Sequence, residues 1–503
     1  MLTFNFLNVK TQSLNLRFYP LLIGLWCLLL QIGLAEKRRL FLLHTNDIHG
    51  HIEAYREGGL ERIALFSKLL RRLHPGEVLL LAGGDTSLGT PLSGQFHGKP
   101  TAEIMASMSY DAVTLGNHEF NWGQDKMRAL TKAMGAPVLC ANLVSEAGSH
   151  PPYPSHSVVE KNGIKLAIVG LVAPDTARRA PAHATKGWQF LPSEMAFESV
   201  LPTLPDVDLV IGLTHLGLEA DRKLASRVPE IDLIVGGHSH TALHQPAFVG
   251  ETPIVQSGSY ARYLGYLELL VDTESNNFQI VEQKLIPMGK SHLDQDAIGS
   301  DLEAHQIVER YAKTLRPILR REVALVRSKL SKAPSAGQYE TLLGTFISDV
   351  FRNQAKTDIA LYNRGGVRFD MEKGPLTVED VHKLFPFDDP VAVLELKGIQ
   401  LREVLEQGTV DGQGPISISG LVAQICHGQV RDIKVNGRPL ENKKLYTLAT
   451  TSFLAGGGDG MASLAGLRKL RTLPFTRDVL LEYLETVQNI EAPDLGRLRV
   501  VGP

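Results

Sequence analysis

Leu40-Phe41-Leu42-Leu43-His44-Thr45-Asn46-Asp47-Ile48-His49 runs from four consecutive apolar residues into a polar segment carrying Asp and His. The same handover recurs four times. Residues 78–82 lead to Gly83-Gly84-Asp85, 112–115 to Gly116-Asn117-His118-Glu119, 209–213 to Thr214-His215, and 231–235 to Gly236-Gly237-His238-Ser239-His240. Short apolar runs with helical stretches between them predict an α/β sheet, with the residues past its strand ends converging on one site. That site holds His, carboxylate and amide oxygen donors and no thiolate. This mixture suits one or two divalent ions such as Zn, Mn or Fe.

Metal chemistry gives each residue a task. Asp47 and His49 are two positions apart, so in extended chain both side chains point to one side. Asp85 has two carboxylate oxygens and can bridge two cations about 3.5–4 Å apart, the spacing of two-metal hydrolases. Asn117 offers a carbonyl oxygen, and His215, His238 and His240 offer imidazole nitrogens. Two cations acidify water between them into a nucleophile. His118 is not needed as a ligand and is free to stabilise or protonate a leaving oxygen.

These blocks resemble those of the calcineurin-like metallophosphoesterases: D-x-H, G-D, G-N-H-[ED], H and G-H-x-H, in the family order. More narrowly, the chain is similar to the 5'-nucleotidase / UDP-sugar hydrolase / 2',3'-cyclic phosphodiesterase family. That match rests on residues 44–50 and 116–120, on Gln256-Ser257-Gly258-Ser259-Tyr260 followed by Leu264-Gly265, and on the C-terminal half. The resemblance implies Asp47, His49, Asp85 and His240 around one metal, and Asp85, Asn117, His215 and His238 around the other. It implies an α/β (α+β) chain: an N-terminal four-layer metallophosphoesterase β-sandwich flanked by helices, a linker helix, and a C-terminal α/β domain that grips the nucleoside.

A length of 503 residues favours two or three domains. The expected division is a signal peptide over 1–35, a catalytic domain over 36–292, a linker helix over 293–330 and a substrate domain over 331–503. Lys10 and Arg17 precede an apolar core at 21–30, and Gly33-Leu34-Ala35 supplies the small residues of a cleavage site. The protein is therefore expected to be exported, to a periplasm or the cell surface, with a membrane association only if that segment stays uncleaved. A net charge of −2 with no basic stripe excludes a nucleic-acid scaffold. The expected partner is a small nucleotide. Apolar residues at Ile307, Tyr311, Leu315, Ile318 and Leu319 mark the linker helix.

In the C-terminal half, Asn363-Arg364-Gly365-Gly366-Val367-Arg368 follows an expected strand at 358–362 and resembles the family's N-x-G-G-[IV]-R turn. Glycines such as Gly366 let the backbone approach an anion, and an Arg forks onto phosphate oxygens. By resemblance, Phe387 and Phe453 sandwich the base, and Asp459 accepts from ribose hydroxyls. Two departures bear on the substrate. Asn121 stands where family 5'-nucleotidases usually carry the Asp that charges the histidine, and the same Asn is common in the cyclic phosphodiesterase branch. Residues 336–343 carry no cation, leaving the phosphate to Arg368 and Arg364. The predicted activity is nucleoside 5'-monophosphate hydrolysis in nucleotide catabolism. The alternatives are 2',3'-cyclic nucleotide or UDP-sugar hydrolysis, a sulfur-ester hydrolase, or a nucleotide-binding surface module without turnover.

Overall fold

The computed structural model describes residues 37–501, except 55–57, 147–150, 181, 290–298, 335–338, 388, 410–415 and 427–428. The expected export signal lies outside the described residues. Two six-stranded sheets face one another in the N-terminal half. The first runs in the order 277–287, 263–272, 38–45, 78–82, 112–114, 138–139, and the second 247–249, 252–255, 233–235, 209–215, 164–172, 156–161. The strands carrying the recurrent motif pair in parallel within each sheet.

Alternation along Arg38–Thr45 sets the layers. Leu40 and Leu42 point between the sheets with Leu79, Leu81, Ile211 and Leu213. Phe41 and Leu43 point outward onto a second core shared with the helices Leu60–Leu73 and Lys99–Met108. The second sheet packs its outer face on Ser193–Val200 and Leu218–Arg227. Helix, sheet, sheet and helix form four layers, with strands buried on both faces.

The helix Leu302–Leu319 starts at Asp301, whose carboxylate accepts from the Ala304 N–H at 3.0 Å. It lies against the N-terminal helices through Ala304, Val308 and Ala312, with Ile307, Tyr311 and Leu315 half-buried. Ile318, expected on the apolar stripe, is 59% exposed. The strand Glu322–Val326 already pairs with Gly374–Thr377 and Asn489–Ile490. The second half therefore begins ahead of residue 331. Its five-stranded sheet runs 416–419, 359–363, 445–451, 390–397, 468–475. One face is covered by Leu342–Ala355 and Thr476–Thr486, the other by Gly398–Thr409 and a four-stranded sheet. Aromatic contacts cross the seam between the halves: Phe369 lies 5.4 Å from Tyr260 and 6.2 Å from His51, centroid to centroid. Among the described residues no helix is long and apolar enough to cross a membrane, and Cys140 and Cys426 form no disulfide.

Candidate active site

The strand ends bring all seven predicted ligands onto one rim. Asp47, His49 and His240 form one cluster, and Asp85, His215 and His238 another. Asp47 Oδ1 is 3.2 Å from His240 Nε2, and Asp85 Oδ2 is 3.1 Å from His215 Nε2. His49 links the clusters, its Nε2 lying 3.8 Å from both carboxylates and 3.1 Å from His240 Nε2. Asp47, His49, Asp85, His238 and His240 all have φ between 50° and 77°. A side chain in this left-handed region costs about 1–3 kcal/mol and persists only where surroundings impose it, typically at a functional site.

A cation fits this cluster on structural grounds. Asp47 Oδ1, Asn117 Oδ1 and His215 Nε2 are buried without a hydrogen-bond partner. The opposite ring nitrogens of His49 and His215 are held by Leu88 O at 2.8 Å and Gly83 O at 2.6 Å. Those carbonyls fix the proton on Nδ1 and aim each Nε2 lone pair inward. Burial pushes the pKa of His49 far down and that of His238 to about 4, keeping both rings neutral. Burial disfavours the Asp85 carboxylate, but His215 and His118 beside it outweigh that and hold its pKa well below the usual range. Neutral imidazoles and ionised carboxylates are the states that bind metal; at His215 burial opposes the charge but the Asp85 carboxylate outweighs it and raises the pKa to about 10, so a metal would displace that proton. The two clusters fit a dimetal centre.

Several residues hold this geometry without facing the centre. Glu119, 2% exposed, accepts from the N–H groups of Asp85, Thr86 and Gly116 and from the Thr86 hydroxyl. Asn46 donates to Asp47 Oδ2 and Gly258 O, and accepts from the N–H and hydroxyl of Ser257. Gln256 accepts from Ser239 Oγ and the Thr241 N–H and donates to Gly237 O, bracing the loop of His238 and His240. Gly116 has no room for a side chain: a Cβ there would lie 2.1 Å from Asp85 Oδ1.

From the metal centre a cleft of about 660 Å³ runs between the two halves. Asn117, His118, Asn121, Trp122 and the helix bearing Arg178 and Arg179 form one wall. Asn363, Gly366, Arg368, Phe387, Asp389, Phe453 and Asp459 form the other. Asn363 Nδ2 donates to Asp459 Oδ2 at 2.5 Å. His118 Nδ1 is 2.9 Å from Asn121 Oδ1, and its Nε2 is 3.3 Å from Arg368 Nη2. Arg364, expected to share the phosphate with Arg368, is half-buried and does not line the cleft. The short helical turn it opens ends at Gly366, so Arg364 and Arg368 project from different parts of the turn. Sequence reasoning missed Arg178, Arg179, Trp122 and Asp389; none stands in a motif, and only the fold brings them to the cleft.

Residues 42–242 match the calcineurin-like phosphoesterase family, and residues 323–466 match the 5'-nucleotidase C-terminal domain. A 5'-nucleotidase of Vibrio vulnificus is 27% identical over 500 residues, covering 89% of this chain and 90% of that protein. Protein UshA of Yersinia enterocolitica is 28% identical, covering 90% of this chain and 92% of its own length. The solved structure of a 5'-nucleotidase precursor from Thermus thermophilus superposes with a TM-score of 0.81 at 27% identity, covering 92% of this chain and 99% of that one. With its paired metal clusters and this two-part match, the chain belongs to the calcineurin-like metallophosphoesterases with a 5'-nucleotidase C-terminal domain and is a metal-dependent phosphoester hydrolase.

Proposed function

We propose that this enzyme is exported and hydrolyses nucleoside 5'-monophosphates to nucleoside and phosphate. The observation that carries the reading is the continuous cleft, which joins His118 and Asn117 on one wall to Arg368, Phe387, Phe453 and Asp459 on the other. Asp47, His49, Asp85 and His240 would hold one divalent ion such as Zn or Mn, and Asp85, Asn117, His215 and His238 the second. When bound, such ions acidify water and neutralise phosphate oxygens. Arg368 forks onto the remaining phosphate oxygens and orients the ester for in-line attack. His118, steadied through Nδ1 by Asn121, stabilises or protonates the leaving ribose oxygen from Nε2, against burial and the neighbouring Arg368, which lower its pKa. Phe387 and Phe453 grip the base, and Asp459, braced by Asn363, accepts from ribose hydroxyls. Lys10, Arg17, the apolar run at 21–30 and Gly33-Leu34-Ala35 support export.

A second reading, hydrolysis of 2',3'-cyclic nucleotides, is favoured by Asn121. A neutral amide supports an imidazolium less than a carboxylate does, which suits a less demanding proton transfer. The deciding experiment compares AMP and 2',3'-cyclic AMP as substrates of the chain from residue 36 with Mn or Zn, against Asp85→Ala and a chelated sample. Faster AMP turnover, lost in both controls, supports the first reading; faster cyclic turnover supports the second. Two bound metals with no turnover of either would sink both.

A further inference from the structure

Phe387 has a second neighbour besides the substrate it is proposed to bind. Its ring lies against that of His118, with centroids 5.3 Å apart and planes 27° from parallel, so a residue of the second half stacks on the histidine of the first. Arg368 adjoins both: its Cζ is 5.3 Å from the Phe387 centroid and its Nη2 is 3.3 Å from His118 Nε2. The other anchor of the imidazole is Asn121, at 2.9 Å from Nδ1. Asn121 at Nδ1 and Arg368 at Nε2 hold the ring only by its edge, and the torsion that sets an imidazole plane is broad. A stacked face removes that freedom.

The Phe387 backbone is itself held. Its carbonyl accepts from Arg477 Nη1 at 3.1 Å. Two residues on, the Asp389 carboxylate accepts from the Phe453 N–H at 3.0 Å, and the Asp389 carbonyl accepts from the Thr476 N–H at 2.9 Å. The loop that carries Phe387 is therefore tied to the loop that carries Phe453 and to the helix behind both.

We propose that Phe387 is a positioning residue for His118. The stack across the seam holds the imidazole plane so that Nε2 faces the leaving oxygen, and proton delivery then requires the second half to be seated on the first. Nucleoside recognition and leaving-group protonation thus share one ring, so the second half contributes to kcat as well as to KM. The inference rests on the reading of His118 as the leaving-group acid.

The test uses two esters without a base: ribose 5-phosphate, whose alkoxide leaves poorly without a proton, and p-nitrophenyl phosphate, whose phenoxide leaves without one. The readout is the ratio of kcat for p-nitrophenyl phosphate to kcat for ribose 5-phosphate. Phe387→Leu keeps apolar volume and loses the stack, and Phe387→Tyr keeps the stack. General acid catalysis contributes about 10²–10⁴-fold, and a small misplacement forfeits much of it. The ratio should therefore rise by about 10–100-fold in Phe387→Leu and return towards wild type in Phe387→Tyr. His118→Ala should raise it at least as far, with the double variant His118→Ala/Phe387→Leu no worse than His118→Ala alone. A wild-type ratio in Phe387→Leu, with KM for AMP raised, would make Phe387 a base clamp only and overturn the proposal while leaving the nucleotidase reading intact. A wild-type ratio in His118→Ala would remove the role of His118 and the proposal with it.

Discussion

Glu119→Gln is the sharpest probe of how the metal-bearing loops are held. Glu119 Oε2 accepts from the Asp85 N–H at 3.0 Å and the Gly116 N–H at 2.7 Å; Oε1 accepts from the Thr86 N–H at 2.7 Å and the Thr86 hydroxyl at 2.9 Å. Burial and the Asp85 carboxylate nearby push its pKa up, yet four donors converge on two oxygens, which only the ionised form accepts. Glutamine turns one oxygen into a donor. With the N–H₂ group in place of Oε2, the Asp85 and Gly116 N–H groups both lose their acceptor; in place of Oε1, the Thr86 N–H loses its acceptor while the Thr86 hydroxyl can turn and accept. The second orientation leaves one buried donor unsatisfied, at a cost of about 1–3 kcal/mol. Because Asp85 moves with its backbone, metal affinity should also fall by about 10–100-fold, as when outer supports of a metal site are removed. Urea unfolding of the chain with and without Mn, together with calorimetric titration of Mn, measures both. A variant within about 0.5 kcal/mol of wild type that binds two ions as tightly would refute the argument, since surface-like substitutions behave that way.

Two further outcomes follow from single positions. Gly116→Ala puts a Cβ 2.1 Å from Asp85 Oδ1 and 2.4 Å from its N atom, so the carboxylate proposed as the bridge must move; elemental analysis should show bound metal falling below two per chain, and a full complement would count against the assignment of Asp85 as the bridge. Asp389 is held by burial at a pKa of about 6, against opposing bonds from Thr451, Phe453 and Ser452. The unfolded carboxyl ionises near 4, so between about pH 4 and 6 the folded chain keeps a proton the unfolded chain has lost, and stability falls as pH rises through that window. Asp389→Asn should remove this loss, gaining on wild type by up to about 3 kcal/mol between pH 4 and 7; a pH-independent difference would show that the carboxyl is not perturbed.

All seven proposed ligands were legible in the sequence because donor chemistry and strand ends are local properties. An Asp, Asn or His within a few residues after a short apolar run is readable without knowing which strands neighbour which, and the strands Val78–Ala82 and Leu209–His215 begin where the apolar runs begin. The linker helix was legible as a helix but less so in its buried face. Ala304 and Ala312, the small residues that allow close packing, add little to an apolar pattern, whereas Ile318 adds much and lies in solvent.

What the sequence by itself determined was therefore the inventory: the donor set, the strands that present it and the family plan. Tertiary structure alone decided the supports and the orientations. Glu119 joins the loops of Asp85 and Gly116, Asn46 reaches Ser257 and Gly258, and Phe387 stacks on His118 across the seam. It likewise separated Arg368, which lines the cleft, from Arg364, which does not, though both stand in one turn. The left-handed backbone at Asp47, His49, Asp85, His238 and His240 belongs to the same class. Asp and His tolerate that conformation better than most side chains but do not by themselves select it; it persists because bonds from distant segments hold it there, and such bonds have no signature in the order of residues along the chain.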